Sequence, residues 1–147
     1  MAKTAPDHHD AELLLKVYDL RREDVMRESR KQIIFGFQPV TFEDIQAIGK
    51  FDHPLNAAYR QVASYWEMVY GMAKWGVVHP DYFVESNGEG ILLFARLKPH
   101  LERIRQEVSP VAFQNTEWVT LNTEPGRRVL SIMEARYQKM LAERQKA

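Results

Sequence analysis

Five histidines, His8, His9, His53, His79 and His100, are the side chains of this 147-residue chain best suited to hold a metal. In a helical protein the natural use of such residues is a carboxylate-bridged di-iron centre. That chemistry needs Glu-x-x-His twice, so that both ligands face inward from one helix. None of the five has a glutamate three residues before it. His8 and Glu12 share a helical face at i,i+4, but His8 and His9 lie in a terminus, residues 1–9, expected to be disordered. His53 and His79 each precede a proline at a helix start, where capping or plain exposure is the expected role. His100 stands beside Pro99 with no partner at ligand spacing. There is no cysteine, which removes thiolate ligands, thiol catalysis and disulfides. No metal and no cofactor is expected.

Other chemistries find no better footing. Gly88-Glu89-Gly90 supplies two glycines, but the third of a dinucleotide fingerprint is missing and no strand precedes them. No Walker-type phosphate loop and no Gly-x-Ser-x-Gly elbow occurs. Residues 41–68 can be read as helix, turn and helix, yet the second helix begins His53-Pro54-Leu55-Asn56-Ala57-Ala58, where a DNA-reading helix carries Arg, Lys, Asn and Gln. Basic residues are not interleaved with the aromatic ones, as a single-strand platform requires. The expectation leans away from an enzyme and excludes nucleic acid as a partner.

What stands out is an aromatic cluster, Tyr59, Tyr65, Trp66, Tyr70 and Trp75, with Glu67 inside it. Such rings form packed core with polar tips at its rim, or an aromatic surface for a partner helix or a second copy. Glu67 reads as exposed or arginine-paired rather than catalytic. Two readings follow. One is a non-catalytic interaction protein, self-associating or binding another protein through helical surfaces. The other is a binder or enzyme for a small ligand, held between helices near Glu67, Tyr70 and Arg105. Asn56, Trp66, Glu67, Tyr70 and Arg105 are the candidate ligand- or partner-binding residues, and none is assigned as catalytic.

The elements that position these residues are helical. Leu13, Val17 and Leu20 open a stripe in a helix expected over about residues 10–35, in which Glu23 with Arg27 and Glu28 with Lys31 are supportive ion pairs. Gly36 and Pro39 end it. Thr41 caps a short helix to about Ile48, with Glu43 and Asp44 in its first turn and Val40 and Ile45 as a hydrophobic staple. Leu55, Ala58, Tyr59, Val62, Tyr65, Trp66 and Val69 then recur at helical spacing from Pro54 to Trp75, closed by Gly76, and mark the central helix. His79-Pro80-Asp81 opens another short helix. Phe94, Leu97, Leu101, Ile104 and Val108 keep their spacing across Pro99, as one helix kinked at the proline does. Glu117 to Leu121 has strand-like residue types, but Asn115 or Thr116 can cap a short helix there, and helix is preferred. Thr123-Glu124-Pro125 opens the last helix, with Leu130, Met133, Tyr137 and Met140 on one side.

Composition agrees with one folded domain over residues 1–147, at 45% hydrophobic and 27% charged residues. Lys plus Arg and Asp plus Glu balance at 20 each, so no net field draws polyanions or anionic lipid. Locally, residues 36–95 hold 3 basic and 7 acidic groups and residues 96–147 hold 10 and 6, offsets that ordinary solvated faces explain. No apolar run is long enough to cross a bilayer, and Met1 to Asp10 lacks the apolar stretch of a signal peptide. A soluble cytoplasmic protein without membrane partners is expected.

Asn56, Trp66-Glu67, Gly76-Val77-Val78, Asp81-Tyr82-Phe83 and Arg103 or Arg105 form a further pattern. Over this central third the chain resembles a family of small bacterial helical proteins classed as domain of unknown function 4760. The resemblance implies an all-helical fold and no particular activity. Its members often carry an N-terminal membrane helix, for which this sequence has no counterpart. The fold class expected is all-α, an irregular bundle of six or seven helices around the aromatic-rich central one.

Overall fold

A computed structural model describes residues 3–146, and among them there are helices and joints but no strand. In chain order the helices are α1 (His8–Arg21), α2 (Asp24–Gly36), α3 (Phe42–Ile48), α4 (Asn56–Lys74), α5 (Pro80–Glu85), α6 (Glu89–Leu97), α7 (Leu101–Glu107), α8 (Gln114–Asn122) and α9 (Glu124–Lys146). A 3-10 turn, Lys98–His100, joins α6 to α7 at Pro99, so the expected kinked helix is present as one bent rod. With that rod counted once there are eight helices among the described residues, close to the six or seven expected. No helix among them is long and apolar enough to cross a membrane.

The additional helix arises at Arg22-Glu23, where the first expected helix divides. Glu23 turns its carboxylate onto the backbone N–H groups of Val25 (3.1 Å) and Met26 (3.0 Å) and so caps α2. The ion pair expected between Glu23 and Arg27 is therefore not made, and Arg27 donates to the Arg22 carbonyl at 2.8 Å. Two amides at a helix start attract a carboxylate more strongly than an exposed i,i+4 arginine does. The segment 116–122 is helical, within α8. Thr41 and Asp44 form a capping box for α3, while Val40, half exposed, does little as a staple. The central helix begins at Asn56, two residues after Pro54, because His53 Nδ1 accepts from Leu55 N–H at 3.0 Å and holds a turn there.

The central helix α4 buries Ala58, Val62, Tyr65, Trp66, Val69, Tyr70 and Ala73, the three-four spacing of one continuous face. It packs on α2 and α8, while α9 lies over α5, α6 and α8. Of the aromatic cluster, Tyr65, Trp66 and Tyr70 are core and Tyr59 is packed on it; only Trp75, 79% exposed, is a surface ring. The helix ends at Gly76, whose φ of 75° lets Val77 N–H reach back to the Met72 carbonyl at 2.9 Å. Close approach of α6 depends on Gly90, because a Cβ there would lie 2.5 Å from Trp66 Cγ.

At the amino end, residues 1 and 2 of the stretch expected to be disordered lie outside the described residues. His8 and His9 open α1 instead of trailing from it, since Asp7 and Asp10 form a capping box. Asp10 is fully buried and accepts from Asp7 N–H (2.8 Å), His79 N–H (2.8 Å) and Lys3 Nζ (3.2 Å). Burial pushes its carboxyl group up, but the amides of Asp7 and His79 and the Lys3 ammonium outweigh this and hold it below its ordinary value. A depressed folded pKa gives stability that is complete above the unfolded value, about 4, and is lost as pH falls through the folded one. Asp10→Asn is expected to unfold more readily at neutral pH and to lose less stability than wild type on acidification below about pH 4. Urea titrations at several pH values check this; parallel acid profiles for the two proteins would contradict it.

Candidate functional site

Where α8 starts, Gln114 N–H donates to the Val111 carbonyl at 3.3 Å, and the next two backbone donors, of Asn115 and Thr116, find no local acceptor. Phe113 precedes the helix in the left-handed region, φ 57°, and contributes no capping side chain. A non-glycine residue there is strained by about 1 kcal/mol or more, so its surroundings must hold it. Phe113 is buried against Phe94, ring centroids 6.3 Å apart, and its carbonyl accepts from Glu117 N–H at 2.9 Å.

The missing cap comes from α4. Glu67 Oε2 accepts from Asn115 N–H at 3.0 Å, and Oε1 accepts from Thr116 N–H at 2.8 Å and from the Thr116 hydroxyl at 2.5 Å. Asn115 returns the contact, its Nδ2 donating to the Glu67 carbonyl at 2.9 Å. A carboxylate facing a helix amino end meets both the unpaired amides and the positive end of the dipole. Arg105 braces the same elbow from α7, with Nε on the Ala112 carbonyl and Nη1 on Glu117 Oε1, each at 3.1 Å.

Beside this junction runs an open groove of about 490 Å³ between α4 and the α7–α8 connection. Tyr59, Ile104 and Phe113 form its floor, and Met68, Val108 and Val111, each more than half exposed, stand along it. Glu67 and Arg105 are thus brought together around the α8 start, at the edge of the groove in the case of Glu67. The other expected site residues are not at its surface. Trp66 and Tyr70 lie in the core, their rings stacked at 5.5 Å, and the Tyr70 hydroxyl donates to the Asn87 carbonyl at 2.7 Å. Asn56 is buried at the far end of α4, where Nδ2 donates to the Ile48 carbonyl at 2.8 Å and Oδ1 accepts from Arg60. No three of His, Cys, Asp and Glu among the described residues gather as metal ligands do.

Two polar clusters escaped the sequence. Glu89, at the first position of α6, receives Arg30 through both Nε (2.8 Å) and Nη2 (2.6 Å), with Arg21 Nη1 at 3.5 Å. Arg96 reaches from α6 to three carbonyls near the end of α2. Both join residues about 60 positions apart, and no local spacing marks them.

The family model of a domain of unknown function, DUF4760, matches residues 6–123, and the chain belongs to this family. The match takes in most of the chain rather than the central third alone, and ends where α9 begins. No curated protein and no solved structure matches the chain. The pattern that carries the resemblance is structural in this chain: Asn56 ties α3 to α4, Trp66 seats Gly90, Glu67 caps α8, Gly76 ends α4, Val78 and Phe83 are core, and Arg105 braces the elbow.

Replacing Glu67 by Gln puts an NH2 group opposite one of the α8 donors and removes the charge. The expected loss is about 1–3 kcal/mol of unfolding free energy, with faster amide exchange at Asn115 and Thr116 than elsewhere in α8. Chemical denaturation with site-resolved hydrogen exchange measures both, and unchanged protection at the two amides would refute the capping role.

Proposed function

We propose that this family member is a non-catalytic helical interaction protein that self-associates in the cytoplasm, two copies meeting across the groove between α4 and the α7–α8 connection. The observation that carries this is the groove wall, where Met68, Val108 and Val111 expose apolar surface around a floor of Tyr59, Ile104 and Phe113. Contiguous exposed apolar surface of this kind is what protein contacts cover. The even balance of 20 basic and 20 acidic residues removes the net repulsion that would oppose two copies approaching. Leu15, Tyr18 and Leu20 leave α1 partly uncovered as well, in keeping with a protein that works through helical faces.

The alternative, a small-ligand site or enzyme near Glu67, has less support. Both carboxylate oxygens of Glu67 are occupied by α8, and Arg105 is engaged with Glu117 and Ala112. Catalysis and polar-ligand binding call for convergent groups with free capacity, and shape-dependent apolar contact does not.

Sedimentation equilibrium across a wide concentration range tests the proposal. Wild type is expected to form dimers, and Met68→Glu and Val111→Glu, both at exposed positions, are expected to weaken dimerisation by roughly tenfold or more while keeping the helical circular dichroism of the fold. A wild-type chain that stays monomeric at the highest concentrations, or dimers indifferent to both substitutions, would remove the proposal.

A further inference from the structure

Arg96 is 8% exposed, and a guanidinium so deeply placed needs its charge answered. The answer within the protein is incomplete. Nη1 donates to the carbonyls of Ile33 (3.2 Å), Ile34 (3.0 Å) and Phe37 (2.7 Å), which closes the end of α2, and the guanidinium lies 5.3 Å from the centre of the Tyr137 ring. Among the described residues no carboxylate pairs with Arg96, and its Nε and Nη2 make no hydrogen bond. No sealed side-chain nitrogen or oxygen among them lacks a partner, so these two nitrogens keep a path to solvent. Arg96 also lines a pocket.

That pocket, of about 200 Å³, is set in the seam between α6 and α9. Leu92 and Arg96 face it from α6 at i,i+4, and Met133, Arg136, Tyr137 and Met140 face it from α9 at the matching i, i+3, i+4 and i+7 positions. An ordinary helix seam is closed by aliphatic side chains at such positions. Here two arginines line the seam with two methionines, a leucine and a tyrosine, and Arg136, exposed at the rim, has like Arg96 no carboxylate partner among the described residues.

We infer that this pocket binds a small amphipathic carboxylate, a monoanion carried on an aryl or short branched alkyl body. A planar carboxylate matches the guanidinium fork and neutralises part of the charge that the fold leaves unanswered. The apolar lining selects against bare inorganic anions. A dry cavity of about 150 Å³ admits benzene, so this volume takes one ring or a branched chain of similar bulk. The methionines adapt to shape, and the specificity is therefore for a class of acids. The site lies on α6 and α9, and its failure would leave the proposed self-association across the α4 groove untouched.

Calorimetric titration of the full chain with phenylacetate and with 3-methylbutanoate reads the inference directly, beside two controls: acetate, which has the charge without the body, and phenylacetamide, which has the body without the charge. One of the two acids is expected to bind saturably and at least roughly tenfold tighter than either control. The methyl resonances of Met133 and Met140 are expected to shift with the same saturation curve. Arg136→Gln, at an exposed position, is expected to keep the fold and weaken that acid by roughly tenfold. Failure of both acids to bind, equal binding of acetate or phenylacetamide, immobile methionine methyls, or an unaltered affinity in Arg136→Gln would each overturn it.

Discussion

The carboxylate of Glu67 on the first amides of α8 is the contact on which the far half of the bundle depends. α8 cannot begin by its own means, because Phe113 enters it in a left-handed conformation and offers no cap. Without the Glu67 cap, the amides of Asn115 and Thr116 would meet the same low-dielectric flank of α4 with no acceptor. Since α9 packs on α8, and α6 lies under α9, the placement of Glu67 within α4 sets where that layer sits. Its neighbour Trp66 does the complementary work on α6, occupying the space that Gly90 leaves open.

The same device recurs at several other helix ends and joints in this fold. Asn56 of α4 donates to the last carbonyl of α3, Tyr70 to the Asn87 carbonyl between α5 and α6, and Tyr137 of α9 to the Pro39 carbonyl before α3. Arg96 closes α2, and Asp10 of α1 holds the His79 amide at the start of α5. Short helices expose a large proportion of unpaired backbone groups, and a bundle with this many ends must supply partners from elsewhere in the chain. Buried polar side chains here are therefore mainly a consequence of helix number, which is why a family pattern containing Asn, Glu, Tyr and Arg need not mark an active site.

This also explains which parts were legible beforehand. The α4 stripe, the Gly76 stop, the His79 cap, the bend at Pro99 and the start of α9 are all written in residues within a turn of one another, where three-four periodicity and capping chemistry act. Glu23 has two local uses for one carboxylate, capping α2 or pairing with Arg27, and residue type alone does not choose between them. Glu67 stands out in the sequence, but its partners lie 48 and 49 residues away; the helix preferred there against the strand-like types of Trp118, Val119 and Thr120 is α8, capped by Glu67 instead of by Asn115 or Thr116. The aromatic cluster was equally two-sided. Tertiary packing alone decides that Trp66 and Tyr70 are core and that Trp75 is not.

Once the polar side chains are assigned to helix ends, what is left over becomes informative. Glu67 and Asn56 have their capacity taken up within the fold, so their presence in the family pattern says little about ligands. Arg96 differs in one respect: three carbonyls satisfy a single nitrogen, while its charge meets only the Tyr137 ring and no carboxylate among the described residues. A neutral donor suffices to meet such carbonyls, and a side-chain amide at that depth would do so with less desolvation. Retaining a full guanidinium, and setting Arg136 across the same pocket among methionines, is intelligible if an anion from outside completes the site. The groove along Met68, Val108 and Val111 is the converse case, apolar surface with its polar neighbours already satisfied, and a protein face is the partner that such a surface accommodates.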